Sequence, residues 1–264
     1  MKKLFIVIIM LGGLGMIGCK QEKKQDTSNL AETVIQESGD KESEWHLLFD
    51  GKTFNGWRGL GMDIIPDKHW TIEDGTIRKL NSGLVPSFPD GQPMEGGDLM
   101  TIATFDNYEL YFEWKILKAG NSGLKYNVSE EMSKKYDSPN AAIGFEYQLL
   151  DDDDESYKVI KASQFSGSLY DMIEAKNVEL QPVGKFNTSK IIVNGDHVEH
   201  WLNGNKVVEF DYGSARLDSL YKISKYKDYP NFIKKRKGHI VLQNHDDDAW
   251  FRNIKIREFK SNQE

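Results

Sequence analysis

Apolar and polar residues alternate along much of the chain, which is the pattern of half-buried β-strands. The pattern is clearest in residues 108–116. The apolar positions of this segment are Leu110, Phe112, Trp114 and Ile116. A period of two puts successive side chains on opposite faces of a strand. We therefore expect one face of this strand to pack in a core and the other to meet water.

The same pattern predicts ten further strands, at 69–73, 76–79, 98–103, 123–128, 144–150, 189–194, 196–202, 206–210, 238–243 and 249–258. No long segment has the 3.6-residue period of a helix, and at most short helical segments are expected, around 129–135 and 214–223. Asn194-Gly195 and Asn203-Gly204 separate strand-like segments, and both dipeptides favour the positive φ of tight hairpin turns. The prediction is an all-β domain of two stacked antiparallel sheets, with the strands joined as a meander.

Long loops separate several of these strands. They cover residues 80–97, 129–143, 151–168 and 211–237. Loops of this length inside a compact domain often carry function. The acidic run 151–155 lies in one of them and could be a cation site or a solvated charge run. It lacks the alternating ligand spacing and turn glycine of an EF-hand loop.

The N-terminal residues have the features of an export signal. Two lysines precede an apolar run, residues 4–17, that ends just before Cys19, the sole cysteine of the chain. The run is too short to span a bilayer. The sequence MIGC at 16–19 resembles a lipobox, so we expect residues 1–18 to be a lipoprotein signal peptide and Cys19 to carry a lipid. The alternative is an ordinary cleaved signal peptide with an incidental cysteine.

Composition then divides the remaining chain in two. Residues 19–43 are mostly charged and polar, which predicts a lipidated flexible tether. Residues 44–264 are predicted to form a domain of about 220 residues, a length that suits one large sandwich or two small domains, and we favour one. Acylation of Cys19 would leave no cysteine for a disulfide. These features predict a protein of the cell envelope, lipid-anchored in the outer membrane on its periplasmic or surface side.

The charge of the chain disfavours one class of partner. The formal net charge is −7, and loss of residues 1–18 removes two lysines and no acid, which makes it −9. Such a charge repels a phosphate backbone, so no nucleic-acid partner is expected. A neutral carbohydrate is compatible with it, and six tryptophans offer rings for sugar stacking.

Several separated motifs resemble one known family. They are LFDGKTFNGWR at 48–58, FEWKI at 112–116, GNSG at 120–123, GFEYQLLD at 144–151, SLYD at 168–171, HVEHWLNG at 197–204, GHIVLQNH at 238–245 and WFRNIKI at 250–256. In this order, over residues 45–259, they resemble the 3-keto-disaccharide hydrolase domain family. Departures from the family pattern are Phe145, where proline is expected, and Asn244, where aspartate is expected.

The resemblance implies a concanavalin-like (laminin-G-like) jelly roll that acts on glycosides oxidised to a ketone at C3. The ketone acidifies the C2 proton, so a base can remove it, the C1 substituent can leave by elimination, and water can add afterwards. Such a site needs a base, an acid, and a donor or cation for the enediolate oxygen. Glu146 and His200 are the predicted acid/base residues, with Glu113 as a further catalytic candidate. No redox cofactor is needed for this step; the cofactor is unknown, and a divalent cation is one candidate.

The substrate-binding residues are expected on the same sheet face as these groups. The candidates are Asn121, Ser122, Gln148, Asp151, Tyr170, Asp171, Gln243 and His245. Strand parity puts Glu146 beside Gln148, and Gln243 beside His245, so these side chains could converge. Simpler alternatives are a solvated Glu113 or Glu146 and a His245 that belongs to a turn.

Two further alternatives concern His200 and the function as a whole. His200 shares a strand face with core-type residues, which indicates a packed histidine as the alternative to a catalytic one. Glu113 and Glu146 could act as a conventional pair of glycosidase carboxylates. A non-catalytic, lectin-like lipoprotein that binds carbohydrate is the alternative from another class. The chain has no Gly-x-Ser-x-Gly elbow, His-Glu-x-x-His helix or phosphate-binding glycine loop.

Overall fold

The computed structural model describes residues 44–81, 94, 97–136 and 141–259. The strands are β1 His46–Leu47, β2 Trp57–Gly59, β3 Trp70–Glu73, β4 Thr76–Lys79, β5 Leu99–Thr101, β6 Tyr108–Ile116, β7 Asn121–Val128, β8 Phe145–Leu150, β9 Asn187–Asn194, β10 His197–Leu202, β11 Asn205–Asp211, β12 His239–Leu242 and β13 Ala249–Glu258. The helices are α1 Glu130–Lys135 and α2 Ala215–Ile223, with 3₁₀ turns at Glu155–Tyr157 and Ala162–Gln164. The predicted signal peptide, Cys19 and the tether lie outside the described residues.

Eleven predicted strands and both predicted helical segments are present, each within two residues of its expected ends. The strands β1 and β2 were not predicted, because two or three residues are too few for a period to be recognised. Each helix begins after a serine that caps it: Ser129 accepts the N–H of Met132 at 3.2 Å, and Ser214 accepts the N–H of Leu217 at 3.3 Å. Among the described residues, no helix combines the length and apolar character needed to cross a bilayer.

The strands pair into two antiparallel sheets. The larger sheet has the order β11-β10-β9-β6-β13-β4-β3, with β1 paired to β13, and the smaller has the order β2-β5-β12-β7-β8. The predicted concanavalin-like antiparallel β-sandwich is therefore confirmed. The predicted meander is correct for β9, β10 and β11 but wrong for the sheet as a whole, since β6 and β13 lie between strands distant in sequence. Alternation assigns a side chain to a face and leaves the neighbouring strand undetermined.

Both predicted hairpin turns are present in the larger sheet. Asn203 and Gly204 have φ of +47° and +89°, and Gly195 has φ of +60°. These left-handed conformations suit asparagine and glycine. The turns connect β9 to β10 and β10 to β11.

The core lies between the two sheets and includes the whole apolar face of β6. Phe112 meets the ring of Tyr147 edge-on, with centroids 5.5 Å apart. A chain of hydrogen bonds also crosses the sandwich: the Trp114 indole donates to Ser189 Oγ (2.8 Å), Ser189 donates to the Tyr147 hydroxyl (2.9 Å), and Tyr147 donates to the Trp201 carbonyl (3.0 Å). Each large apolar side chain buried in this way contributes roughly 1.5–3 kcal/mol, and the polar chain leaves these buried donors satisfied.

His200 lies inside this core, fully buried. Its Nδ1 is 2.9 Å from the carbonyl oxygen of Gly167, and its Nε2 is 2.8 Å from the Tyr126 hydroxyl. Burial lowers the pKa of His200 to about 4, so the ring is neutral at pH 7. A carbonyl oxygen can only accept, which assigns the proton to Nδ1 and makes Nε2 the acceptor for Tyr126. The structure therefore favours the packed-histidine alternative over the predicted acid/base role.

The buried neutral imidazole predicts a pH-dependent stability. The pKa of His200 is about 4 in the folded protein and 6.5 in an unfolded chain. Because the folded value is the lower one, the stabilisation is complete above pH 6.5 and is lost as the pH falls towards 4. We expect the titration of His200 to lower the free energy of unfolding by on the order of 3 kcal/mol as the pH falls from 6.5 to 4. Denaturant titrations at stepped pH would measure the loss.

His200→Gln should flatten this pH dependence, since glutamine offers similar hydrogen bonds and does not titrate. The half-exposed His197, whose pKa is raised by its hydrogen bond to Asp211, provides a matched control. The variant His197→Gln should keep the wild-type slope between pH 6.5 and 4. A slope in His200→Gln equal to that of the wild type would contradict the assignment.

Candidate active site

A cleft of about 460 Å³ opens on the smaller sheet, on the face turned away from the core. The pleat of β7 and β8 produces this arrangement, because alternate side chains point to opposite faces. In β8 the inward side chains Phe145, Tyr147 and Leu149 belong to the core. The outward side chains Glu146 and Gln148 line the cleft, and the segments at 141–143 and 225–229 cover its sides.

Six of the predicted site residues line this cleft. They are Asn121 from β7, Glu146 and Gln148 from β8, Tyr170, and Gln243 and His245, which follow β12. The expected convergence of the Glu146 face with the Gln243 face is therefore present in the structure.

Glu146 is 3% exposed at the bottom of the cleft. The Tyr226 hydroxyl donates to its Oε2 over 3.4 Å. Its side chain passes over Gly123 of β7: a Cβ built on Gly123 would lie 2.6 Å from Glu146 Oε1 and 3.0 Å from Cγ. A glycine inside a strand often marks such a close approach. A side chain at residue 123 would clash with the Glu146 carboxylate, so this position requires glycine.

Amide side chains connect Glu146 with His245 across the floor. The Gln148 carboxamide lies 3.1 Å from Asn121 Oδ1, and with the amide turned by half a rotation its nitrogen lies 3.2 Å from Glu146 Oε1. Asn121 Nδ2 lies 3.4 Å from His245 Nε2. The N–H of Asn121 donates to Asp247 (3.0 Å). Burial raises the pKa of the Asp247 carboxyl, against the opposing effect of the nearby His245.

A buried ion pair at the cleft floor was missed by the sequence analysis. Asp98, fully buried just before β5, accepts from Lys125 Nζ (3.1 Å) and from the N–H groups of Ala142 and Asn244 (2.7 Å each). One carboxylate thus joins β7, a side of the cleft and the segment that carries Gln243. Alternation along β7 could have placed Lys125 on the face of Asn121, whereas nothing in the sequence indicates the role of Asp98.

One side of the cleft is formed by tyrosines and a lysine. Lys225 Nζ lies 4.2 Å from the ring centroid of Tyr170 and 5.1 Å from that of Tyr226, and Tyr229 lines the cleft beside them. Asp171 is not among the lining residues. Its carboxylate accepts the N–H of Lys225 (2.7 Å), which holds this side in position.

Three other predicted site residues lie outside the cleft. Ser122 is buried beneath the floor, where its hydroxyl is 3.4 Å from the Gln243 carbonyl. Asp151 accepts the N–H of Ala119 (2.8 Å) and borders a separate surface depression. Glu113 lies on the outer face of the larger sheet, paired with Arg252 at 2.7 Å.

Glu113 and Glu146 therefore lie on opposite sides of the sandwich. The two carboxylates of a conventional glycosidase flank one glycosidic bond. Because these two face away from each other across both sheets, they cannot act as such a pair. This alternative from the sequence analysis is wrong.

Carboxylates of the acidic run at 151–155 accept backbone N–H groups of residues outside the run. Asp152 accepts the N–H of Ser166 and Asp154 accepts the N–H of Ser156, each at 3.0 Å. Burial raises the pKa of Asp152. These contacts account for two of the carboxylates without a metal.

The cofactor stays unknown, with a divalent cation as one candidate. In the described part of the chain, the only group of three close metal-binding side chains is His197, Glu199 and Glu209, on β10 and β11 outside the cleft. Lys206 already contacts both glutamates there. Within the cleft, Glu146, His245 and Gln243 could supply oxygen and imidazole ligands. Gln243 Oε1 is buried and has no hydrogen-bond partner among the described residues.

The sequence of the chain matches a known protein family and a named relative. Residues 44–257 match the family described as the 3-keto-alpha-glucoside-1,2-lyase-like domain. A relative from Bacteroides thetaiotaomicron, named 3-keto-disaccharide hydrolase, is 39% identical over 227 residues, which cover 80% of this chain and 77% of the relative.

Two solved structures are also similar to this chain, in fold and in sequence. Two proposed glycosyl hydrolases from Parabacteroides distasonis superpose with TM-scores of 0.67 and 0.59, at 30% and 25% identity. Each alignment covers 82% of this chain, and 94% and 100% of the respective structures. The prediction of a hydrolase or lyase is confirmed, and the chain belongs to the family of 3-keto-alpha-glucoside-1,2-lyase-like domains.

Proposed function

We propose that the protein cleaves 3-keto-glycosides in this cleft, by removal of the C2 proton and elimination of the C1 substituent. The observation that carries the proposal is the convergence of a buried carboxylate, Glu146, with an imidazole, His245, on one cleft floor. The name of the relative from Bacteroides thetaiotaomicron, 3-keto-disaccharide hydrolase, supports the same substrate class.

Glu146 is the base in this proposal. A carboxylate can accept the C2 proton once the neighbouring ketone has acidified it, and a base held in position by its surroundings acts more efficiently. Tyr226 above and Gly123 below restrict where the carboxylate can lie. The cleft excludes most water from Glu146, which keeps the proton transfer between enzyme and sugar.

His245 is the acid that protonates the leaving oxygen. Asn121 Nδ2 lies 3.4 Å from its Nε2, and the negative charge of Asp247 acts on it through space. After the alcohol leaves, water adds at C1 of the unsaturated sugar, and C2 takes back a proton. The net reaction is hydrolysis of the glycoside, with the C3 ketone retained.

The remaining lining residues suit a sugar. Asn121, Gln148 and Gln243 provide donors and acceptors for hydroxyl groups. Tyr170 and Tyr226 offer ring faces of the kind on which the apolar side of a pyranose stacks. This mixture of amides and aromatic rings supports a neutral carbohydrate as the ligand.

A location in the cell envelope is the second part of the proposal. It is supported by the sequence of residues 1–19, in which the apolar run leads to Cys19. A lipid on Cys19 would hold the enzyme at the outer membrane, where glycosides arrive from outside.

The proposed elimination predicts solvent hydrogen at C2. When the full chain, purified in detergent, cleaves a 3-keto-glucoside in heavy water, the product should carry deuterium at C2, because that proton is removed and then replaced. Glu146→Gln should lower kcat by about 10²–10⁴-fold. NMR of the product and initial rates would measure both effects.

Glu113→Gln is the matched control for that substitution, since Glu113 lies on the opposite face of the sandwich and should keep wild-type kcat within about twofold. Full retention of protium at C2 in the cleaved product would contradict elimination. Binding of unmodified oligosaccharides, with no turnover of any keto-glucoside, would favour the lectin-like alternative.

Gly123→Ala should displace the base while leaving the sandwich folded. The new Cβ would meet Glu146 Oε1 at 2.6 Å, so the carboxylate has to move. We expect kcat to fall at least about tenfold, since small misplacements at a reacting centre are costly, and circular dichroism to stay unchanged. In the Glu146→Asp background the same substitution should cost less, because the shorter side chain ends away from residue 123. Equal costs in the two backgrounds would contradict the close approach.

Lipidation predicts that a labelled fatty acid is incorporated into the protein during growth. Cys19→Ser should abolish the label and release the protein from the membrane fraction, because Cys19 supplies the only thiol. Wild-type protein that takes up no label would contradict the anchor and leave the proposed reaction unaffected.

A further inference from the structure

Lys125 brings a positive charge to the cleft floor beside the proposed base. It lies on β7 opposite Glu146 of β8 in the strand register, so both side chains leave the sheet on the same face. Lys125 is 4% exposed and lines the cleft. Lys125 therefore lines the same cleft floor as Glu146, on the side of the sheet that faces the substrate.

Asp98 uses only part of the hydrogen-bonding capacity of this ammonium. An ammonium has three N–H donors, and Asp98 Oδ2 is the one acceptor that Lys125 Nζ has among the described residues. The same carboxylate is shared with the N–H groups of Ala142 and Asn244. Donors on Nζ remain for a group that enters the cleft.

The charge on Lys125 is retained despite its burial. Burial by itself lowers the pKa of a lysine, but the carboxylates of Asp98 and Glu146 outweigh that effect and raise the pKa of Lys125 above its ordinary value. A fixed cation in a site that excludes water stabilises a developing anion more strongly than a cation in solution does.

We infer that Lys125 is a catalytic residue that donates to the C3 oxygen of the keto-sugar and stabilises the enediolate. This inference rests on the proposed function, in which Glu146 removes the C2 proton. As the C2–H bond breaks, the proton passes to Glu146, the electron pair forms the C2–C3 double bond, and the negative charge goes to the C3 oxygen beside Lys125.

The second half of the reaction discharges that anion. The C3–O double bond forms again, the C1–C2 double bond appears, and the C1–O bond breaks as the leaving oxygen takes a proton from His245. Electrons are conserved within the sugar, so no oxidant or reductant is consumed. Asp98 is a positioning residue in this scheme, since it holds the ammonium and does not touch the substrate.

Removal of the ammonium should affect kcat more than KM. For Lys125→Met we expect kcat on a 3-keto-glucoside to fall about 10²–10³-fold, as for loss of one donor to an oxyanion, with KM changed by less than about tenfold. The exchange of the C2 proton with heavy water should fall in parallel, since the enediolate forms in that step. Lys190→Met, which removes a lysine from the larger sheet, should leave both rates unchanged.

Lys125→Met alone leaves Asp98 buried without a counterion, which strongly destabilises a folded protein. The double variant Lys125→Met/Asp98→Asn removes both charges, so the fold should survive. Its kcat is compared with that of Asp98→Asn, which differs only at residue 125. We expect the double variant to be about 10²-fold slower.

A double variant whose measured kcat is within threefold of that of Asp98→Asn would overturn the inference and make Lys125 a counterion only. The proposed function fails differently. Wild-type protein that neither cleaves a 3-keto-glucoside nor exchanges its C2 proton would overturn the proposed reaction, and the role of Lys125 with it. If the wild-type protein turns over the substrate and Lys125→Met has the same kcat, only the role of Lys125 is overturned.

Discussion

The smaller sheet is buried on both faces, and the rest of the structure depends on that constraint. Most sheets in sandwiches pack on one side and meet water on the other. Here every residue of β8 is buried. Its inward side chains fill the core, and its outward side chains form the floor of a cleft that 141–143 and 225–229 cover. The cleft exists because those segments fold back over the outer face.

Double burial requires that polar groups on the outer face be paired. A buried charge without a partner is costly. The ion pair of Asp98 with Lys125 meets this requirement, and the same carboxylate accepts two backbone N–H groups from the surrounding segments. The contacts that compensate the buried charges of Asp98 and Lys125 therefore also fix the sides of the cleft to its floor.

Alternation along the chain predicted the fold class, nearly all strand positions and the shared face of Glu146 and Gln148. The same rule could not separate Glu113 from Glu146, because both lie on a polar strand face and the sequence does not state to which sheet each strand belongs. His200 shows the converse. Its parity indicated the core, and the family motif indicated a functional role; in the structure both ring nitrogens are satisfied between the sheets.

The long loops posed a different problem. The sequence indicated that 211–237 is long, but length does not reveal what a loop packs against. Lys225 and Tyr226 became recognisable as cleft residues only once that loop was seen over β8. Asp98 is a single aspartate before a strand, and its importance depends on three partners at residues 125, 142 and 244. Contacts so distant in sequence leave no local pattern.

The chain of hydrogen bonds from Trp114 through Ser189 and Tyr147 has a consequence for how the enzyme accommodates substrates. Tyr147 lies between Glu146 and Gln148, so the strand that presents the cleft floor is fastened from behind to the larger sheet. The two sheets cannot slide past one another without breaking this connection. Because Asp98 and Asp171 hold the covering segments as well, the spacing of the lining side chains is set before a ligand enters the cleft.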